Sequence, residues 1–164
     1  MYASPHLEAP FPPTCHWKVG AMWDYWSGVA RAQGRVPRRA DIDPIDIPKL
    51  LANVWIVDFD PGTLRFRHRL IGTAVTRARN SDTTGDYVDG EIPDLPRTML
   101  GRELASVVRE CRPVWSKAPP PASALPLHDV VEIERLSLPL AAETGEVEMV
   151  LSLSVFRMRT GDVL

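Results

Sequence analysis

Cysteine, lysine and long apolar runs are what this sequence has least of, and each shortage removes a class of protein. Only two cysteines occur in 164 residues, Cys15 and Cys111. So far apart, they do not make the disulfide framework of a small secreted domain, and a reduced pair in a cytoplasmic protein is expected. No apolar run approaches the roughly 20 residues that span a bilayer. The N-terminus has neither the basic start nor the apolar stretch of a secretory signal. The chain therefore reads as soluble and cytoplasmic, with no membrane partner. Excess charge is missing too. A formal net charge of −2 and a pI near 6.1 give no general attraction to nucleic acid or anionic lipid. Arginine far outnumbers lysine, a coding bias rather than a functional signal. No Gly-rich phosphate loop and no nucleophile elbow occur.

What is present has the length of one domain with modest extensions, enough for a real core. Residues 1–14 hold four prolines and no periodicity and read as a flexible arm. Residues 15–52 read as an N-terminal helix and a connector. Val19, Met22, Trp23, Trp26, Val29 and Ala30 recur at helical spacing between Trp17 and Gln33, and Gly34 supplies a stop. Prolines make Arg35–Pro48 turn-rich, with one helical turn expected over Ile47–Leu51. The core spans 53–158. Strands are expected at Asn53–Phe59 and Leu64–Ile71, joined by the tight-turn signal Asp60-Pro61-Gly62-Thr63. Thr73 is expected to cap a helix to Arg79, ended by a left-handed Asn80. A longer amphipathic helix carries Leu100, Leu104, Val107, Val108 and Cys111 and stops before Pro113. Strands follow at Val114–Lys117, Val130–Leu140 and Glu146–Arg157, with Ala118–Pro126 as an exposed loop. Residues 159–164 form a tail. The order implies an α+β fold: a five-stranded antiparallel sheet with helices on one face, plus the N-terminal helix.

The second strand alternates most cleanly. Phe66, His68 and Leu70 are expected to point one way, and Arg65, Arg67 and Arg69 the other, toward solvent or the N-terminal helix. His68 is the sharpest single residue. Buried, its imidazole is neutral and both donates and accepts a hydrogen bond. That suits either a polar anchor for a ligand or a core histidine satisfied by a carbonyl or a carboxylate, with Glu132 and Glu134 as candidate partners. Trp55, Phe66 and Trp115 join it as pocket candidates between sheet and helices. Met22, Trp23 and Trp26 either cover the chain's own sheet or form a symmetric homodimer interface.

Several of these segments resemble a bacterial family of PAS-domain proteins. They are Asp24-Tyr25-Trp26 on the first helix, the run from Gly34 to Pro44 with its Arg39-x-Asp41-x-Asp43-Pro44 core, and Phe66-Arg67-His68-Arg69-Leu70-Ile71-Gly72-Thr73. Thr84-Gly85 and Glu134-Arg135-Leu136-Ser137-Leu138-Pro139-Leu140 complete the set. The resemblance covers about residues 22–157. It implies the PAS fold and a stand-alone sensory or regulatory module that binds a small molecule, a signalling partner protein, or both. His68 stands where that pattern more often has tyrosine, and Asn80 where it has glycine. The flavin-binding branch's Asn-Cys-Arg-Phe segment is absent, and the helix over Pro96–Arg112 lacks the histidine that haem-binding members use. No cofactor is identified, and flavin and haem are disfavoured.

The remaining clusters read as structural. Arg31, Arg35, Arg38 and Arg39 are balanced by Asp41, Asp43 and Asp46, which argues against a nucleic-acid partner; the resemblance implies that this segment is a structural connector whose arginines and aspartates bond loop backbone. The acidic groups Asp41–Asp46 and Asp82–Glu91 lack the spacing of a calcium loop, and Cys15-His16 falls short of a metal site. No catalytic residue is assigned. The competing readings are a small cone-shaped α+β enzyme pairing His68 with a carboxylate such as Glu132, and a protein that only dimerises.

Overall fold

Trp17 begins helix α1 (Trp17–Gln33) because His16 caps it, Nδ1 accepting from the Lys18 amide at 3.2 Å. Gly34 ends it at φ 64°, the left-handed conformation that glycine adopts without steric cost. The computed structural model describes residues 5–121, 127 and 129–164. The expected loop through Pro126 thus lies partly outside the described residues. Strands β1 (Val54–Asp60), β2 (Arg65–Ile71), β3 (Val114–Ala118), β4 (Val130–Ala141) and β5 (Val147–Met158) form one antiparallel sheet in the order β2-β1-β5-β4-β3. Between β2 and β3 the chain builds α2 (Thr73–Arg79), α3 (Val88–Glu91) and α4 (Met99–Glu110). The expected α+β plan is the observed one.

The sheet is covered on both faces. On the outer face, Met22, Trp23 and Trp26 of α1 pack over Leu138 and Leu140 of β4 and Leu151 and Leu153 of β5. Trp26 also donates from Nε1 to the Pro139 carbonyl at 3.1 Å. Leu7 and Phe11 join this core, Phe11 meeting Trp23 edge-on at 6.0 Å. The proline-rich arm therefore buries apolar side chains here, where a free arm was expected. On the inner face α2, α3 and α4 cover Trp55, Val57, Phe66, Val150 and Phe156. The connector is held as the resemblance implies. Arg35 forks onto Asp41 at 2.7 and 3.3 Å, Asp41 accepts from the Arg38 amide, and Arg39 donates to the Ile42 carbonyl.

Local departures have local causes. Leu64 was expected to open β2, but it is a left-handed turn residue (φ 57°), because the Asp60 carboxylate accepts from the Gly62 amide and the Thr63 hydroxyl and extends the turn. The helical turn expected over Ile47–Leu51 is displaced into two short 3₁₀ turns, Pro44–Asp46 and Leu51–Asn53; Asp43 caps the first through the Ile45 amide. Thr73 is the first residue of α2 rather than its cap, that place falling to Gly72, while Asn80 does end the helix at φ 52°. The tail turns back on β5, with amide–carbonyl bonds both ways between Phe156 and Leu164.

Helix α4 starts where Thr98 Oγ1 accepts from the Gly101 amide at 3.0 Å. A Cβ on Gly101 would overlap the Leu95 carbonyl oxygen. Gly101→Ala is therefore expected to cost about 2–3 kcal/mol and to lower the melting temperature by about 5–10 °C. Trp26→Ala, which empties the centre of the outer core, is expected to cost about 3–5 kcal/mol in denaturant unfolding.

Candidate functional site

A cavity of about 110 Å³ lies between the inner face of the sheet and the helices. Its floor is Trp55 of β1, His68 of β2, Ile133 and Arg135 of β4, and Ser154 and Phe156 of β5. Ser116 and Ala118 of β3 close one side. Its roof is Val75 and Arg79 of α2, Val88 and Ile92 from α3 and the residue after it, and Met99 and Leu100 of α4. The floor is small at Ser116 and Ser154, which is where the sheet leaves room.

His68 reaches the cavity through an irregularity. Val57 pairs with His68, but the preceding Ile56 pairs with Leu70, so Arg69 is an extra residue in β2. Phe66 and His68 stay inside at 5% and 3% exposure, and Leu70 is thrown to the outer face at 39%. The expected alignment of Leu70 with His68 therefore fails at this bulge. The arginines on the other side of β2 are engaged close to the strand itself. Arg65 bonds Asp89 and stacks over Tyr87, Arg67 donates to the Gly85 carbonyl, and Arg69 bonds Asp58. The edge of β2 is closed by the chain itself, as His68 donates its amide to Asp86 and accepts from Gly85.

Around the imidazole the charges are arranged in pairs. Nε2 of His68 stands 3.4 Å from Glu91 Oε2, yet neither ring nitrogen has a hydrogen-bond partner among the described residues. Glu91 is instead held by Arg79, an ion pair that ties α3 to α2. Burial, and then the Arg79 guanidinium, push the His68 pKa below its ordinary value of 6.5, against Glu91 and Asp86, which pull it up. The ring is neutral at pH 7. Across the cavity, Arg135 bonds Glu103 of α4 at 2.9 Å. Ser154 Oγ accepts from Trp55 Nε1 at 2.9 Å.

The structure brings two of the four pocket candidates, His68 and Trp55, together with rings 6.1 Å apart. Phe66 shares their layer but packs on Phe59 at 5.1 Å, outside the cavity lining. Trp115 is on the opposite face, because along β3 the alternation turns Ser116 inward. Trp115 donates from Nε1 to Glu134, which also accepts from the His16 amide. Neither carboxylate considered for His68 is near it. Glu134 faces the α1 side, and Glu132 is engaged by Lys117 and Arg157. The pairing of His68 with Glu132 offered for the enzyme reading is therefore not assembled; the carboxylate beside His68 is Glu91. Met22, Trp23 and Trp26 are 0%, 7% and 0% exposed; they cover the chain's own sheet and offer no surface to a second copy.

Sequence reasoning missed Arg79, Glu91, Glu103, Arg135, Ser116 and Ser154. A signal existed for two of them. Glu103 falls on the apolar stripe of α4, between Leu100 and Leu104, and Arg135 falls at the inward period of β4. Among the described residues, no group of three or more His, Cys, Asp or Glu side chains is placed to hold a metal ion, and no helix is long and apolar enough to cross a membrane.

No curated protein matches this sequence. Among solved structures, the chain is similar to a fungal LOV domain photoreceptor at 15% identity, covering 82% of this chain and 98% of that one with a TM-score of 0.45. It is also similar to a sensory box histidine kinase/response regulator from Burkholderia thailandensis E264 at 11% identity, covering 72% and 87% with a TM-score of 0.39. At these scores neither likeness bears on function. The family model of the PAS domain matches residues 15–155, nearly the whole of the sheet and the helices just described, and the chain belongs to that family.

Proposed function

We propose that this chain is a sensory or regulatory PAS module that takes up a small molecule in the inner cavity, with His68 as its polar anchor. One observation carries the reading: a histidine 3% exposed, lining a cavity, has no partner for Nδ1 among the described residues, while Nε2 has only the Glu91 carboxylate at 3.4 Å, beyond good hydrogen-bond geometry. Buried polar groups are nearly always satisfied, and leaving one unsatisfied costs about 1–3 kcal/mol. A core histidine kept for stability would be bonded. One kept for a ligand is bonded by the ligand.

The walls supply a route from occupancy to the surface. Arg79 and Glu91 join α2 to α3 beside His68, and the segment between those helices closes the edge of β2 through Gly85 and Asp86. A guest that engages His68 favours one arrangement of this short, surface-running segment over others, which is the differential interaction a population shift requires. A partner protein reading that segment would sense occupancy.

The reading is tested by His68→Leu. Removing an unsatisfied imidazole from ligand-free protein at pH 7.5 is expected to change stability by less than about 1 kcal/mol. A small molecule that co-purifies with the wild type, seen by native mass spectrometry, is expected to be lost from the variant. A loss of several kcal/mol with no change in bound mass would mean that His68 is an ordinary core residue. The pH dependence gives a second check. The folded ring titrates below the unfolded one, so as pH falls through about 6.5 the unfolded chain binds the proton first and stability falls. His16 is also shifted down, by burial and by Lys18. The quantity to measure is therefore the difference: between pH 7.5 and 5.5 the wild type is expected to lose more stability than His68→Leu.

A further inference from the structure

Resting on that reading of the cavity, we infer that its guest is an uncharged single-ring molecule carrying one hydroxyl, phenol being the simplest, with the hydroxyl donating to His68. The size of the space comes first. An apolar cavity of roughly 150 Å³ holds one benzene ring, and this one is about 110 Å³. That is the scale of a single ring rather than of a fused-ring system. Most of the wall is apolar, with Trp55, Val75, Val88, Ile92, Leu100 and Phe156 around the space, which suits the faces and edges of an aromatic ring.

Charge decides against an acid. Each buried arginine of the wall already has its own carboxylate, Arg79 with Glu91 and Arg135 with Glu103. Among the described residues the wall thus has no unpaired arginine, so an anionic guest would lose its hydration without a counter-charge to replace it. The charged groups facing His68 are Arg79 from α2, Glu91 from α3, and Asp82 and Asp86 from the segment along β2, with Arg135 of β4 lining the same cavity, so carboxylates outnumber arginines around the ring.

The imidazole then sets the polarity of the guest's single polar group. A neutral ring has one N–H and one bare nitrogen. Glu91 Oε2, 3.4 Å from Nε2, favours the proton on Nε2 and leaves Nδ1 as the acceptor. The guest must therefore donate. Ser154, whose Oγ accepts from Trp55, keeps its own hydroxyl proton to offer to the guest's oxygen. A hydroxyl on a ring both gives and receives, and it matches this pair of groups better than a carbonyl or a carboxylate.

The test is titration calorimetry of the full chain, shown empty by native mass spectrometry, with phenol, toluene and benzoate at pH 7.5. Phenol is expected to bind about tenfold tighter than toluene, the worth of one hydrogen bond, and benzoate about tenfold more weakly than phenol or not at all. In His68→Leu the preference of phenol over toluene is expected to fall to about threefold or less. Should that variant not fold, the nitrogen-15 resonances of the wild-type His68 ring replace it, with Nδ1 moving as phenol is added. Equal binding of phenol and toluene, tighter binding of benzoate, or an unmoved Nδ1 would overturn the assignment of the guest. If none of the three rings binds while a metabolite screen finds a ligand that Arg135→Met or His68→Leu abolishes, the class proposed here is wrong and the cavity remains a sensory site. Silence in both experiments overturns both.

Discussion

The structure depends on a central strand that is buried on both faces. Seven consecutive residues of β5, Val150 to Phe156, are out of solvent, and their side chains alternate between two cores of different chemistry. Leu151, Leu153 and Val155 face α1, where they meet leucines, valines and tryptophans. Val150 and Phe156 belong to the inner core, and Ser154 between them lines the cavity. Because a strand has period two, these choices cannot be varied independently. A one-residue slip of β5 would put Ser154 against α1 and a leucine against His68. The register that lets α1 cover the sheet therefore also places the small side chains that keep the inner side open.

The two covers differ for the same reason. On the outer face one 17-residue helix presents a continuous stripe with two stacked tryptophans at 5.8 Å, and large side chains fill the interface. On the inner face the cover is made of shorter helices. α2 has seven residues and α3 has four, both too short to be stable alone. They are fixed by what they pack on and by ion pairs: Arg79 with Glu91, Arg65 with Asp89, and Arg135 with Glu103 for the longer α4. Short elements held by charges over a floor of serines do not reach close packing everywhere, and the cavity is the remainder. Polar pairs used this way contribute position more than stability, since burying them is nearly balanced by their lost hydration.

Much of this could be read from the residues because periodicity is strong where burial is two-sided. The alternation of β2, the Trp-rich stripe of α1 and the left-handed Asn80 are all local patterns, and each corresponds to an observed element or end. The exceptions arise where one side chain rewrites its neighbours' hydrogen bonds. The Asp60 carboxylate lengthens the turn and takes Leu64 out of the strand. The bulge at Arg69 turns Leu70 outward, and nothing in an alternating Arg-x-Arg-x-Arg run marks it. The site was less legible than the fold. His68 stood out because it is polar on an apolar period, whereas its true carboxylate lies 23 positions on, in a loop-like segment with no periodicity to orient Glu91. Glu132 and Glu134 looked better placed only because they lie on a strand. The register of β4 sends Glu134 to the other face, and ion pairs hold Glu132 away.

Glu91 stands beside Nε2 of His68 while it is held by Arg79. A histidine that works as an acid or base needs a partner aligned on one nitrogen and an open approach to the other. Here the carboxylate beside Nε2 is committed to Arg79, and burial with that same guanidinium favours the neutral ring. The arginine thus does two things at once: it keeps Glu91 from charging the imidazole, and it fastens α3 to α2 above it. The result is a buried ring that favours the neutral form and has no partner at Nδ1 among the described residues. If a guest binds there as proposed, discrimination of a hydroxyl from a hydrogen atom rests on a single buried bond that no described side chain already supplies.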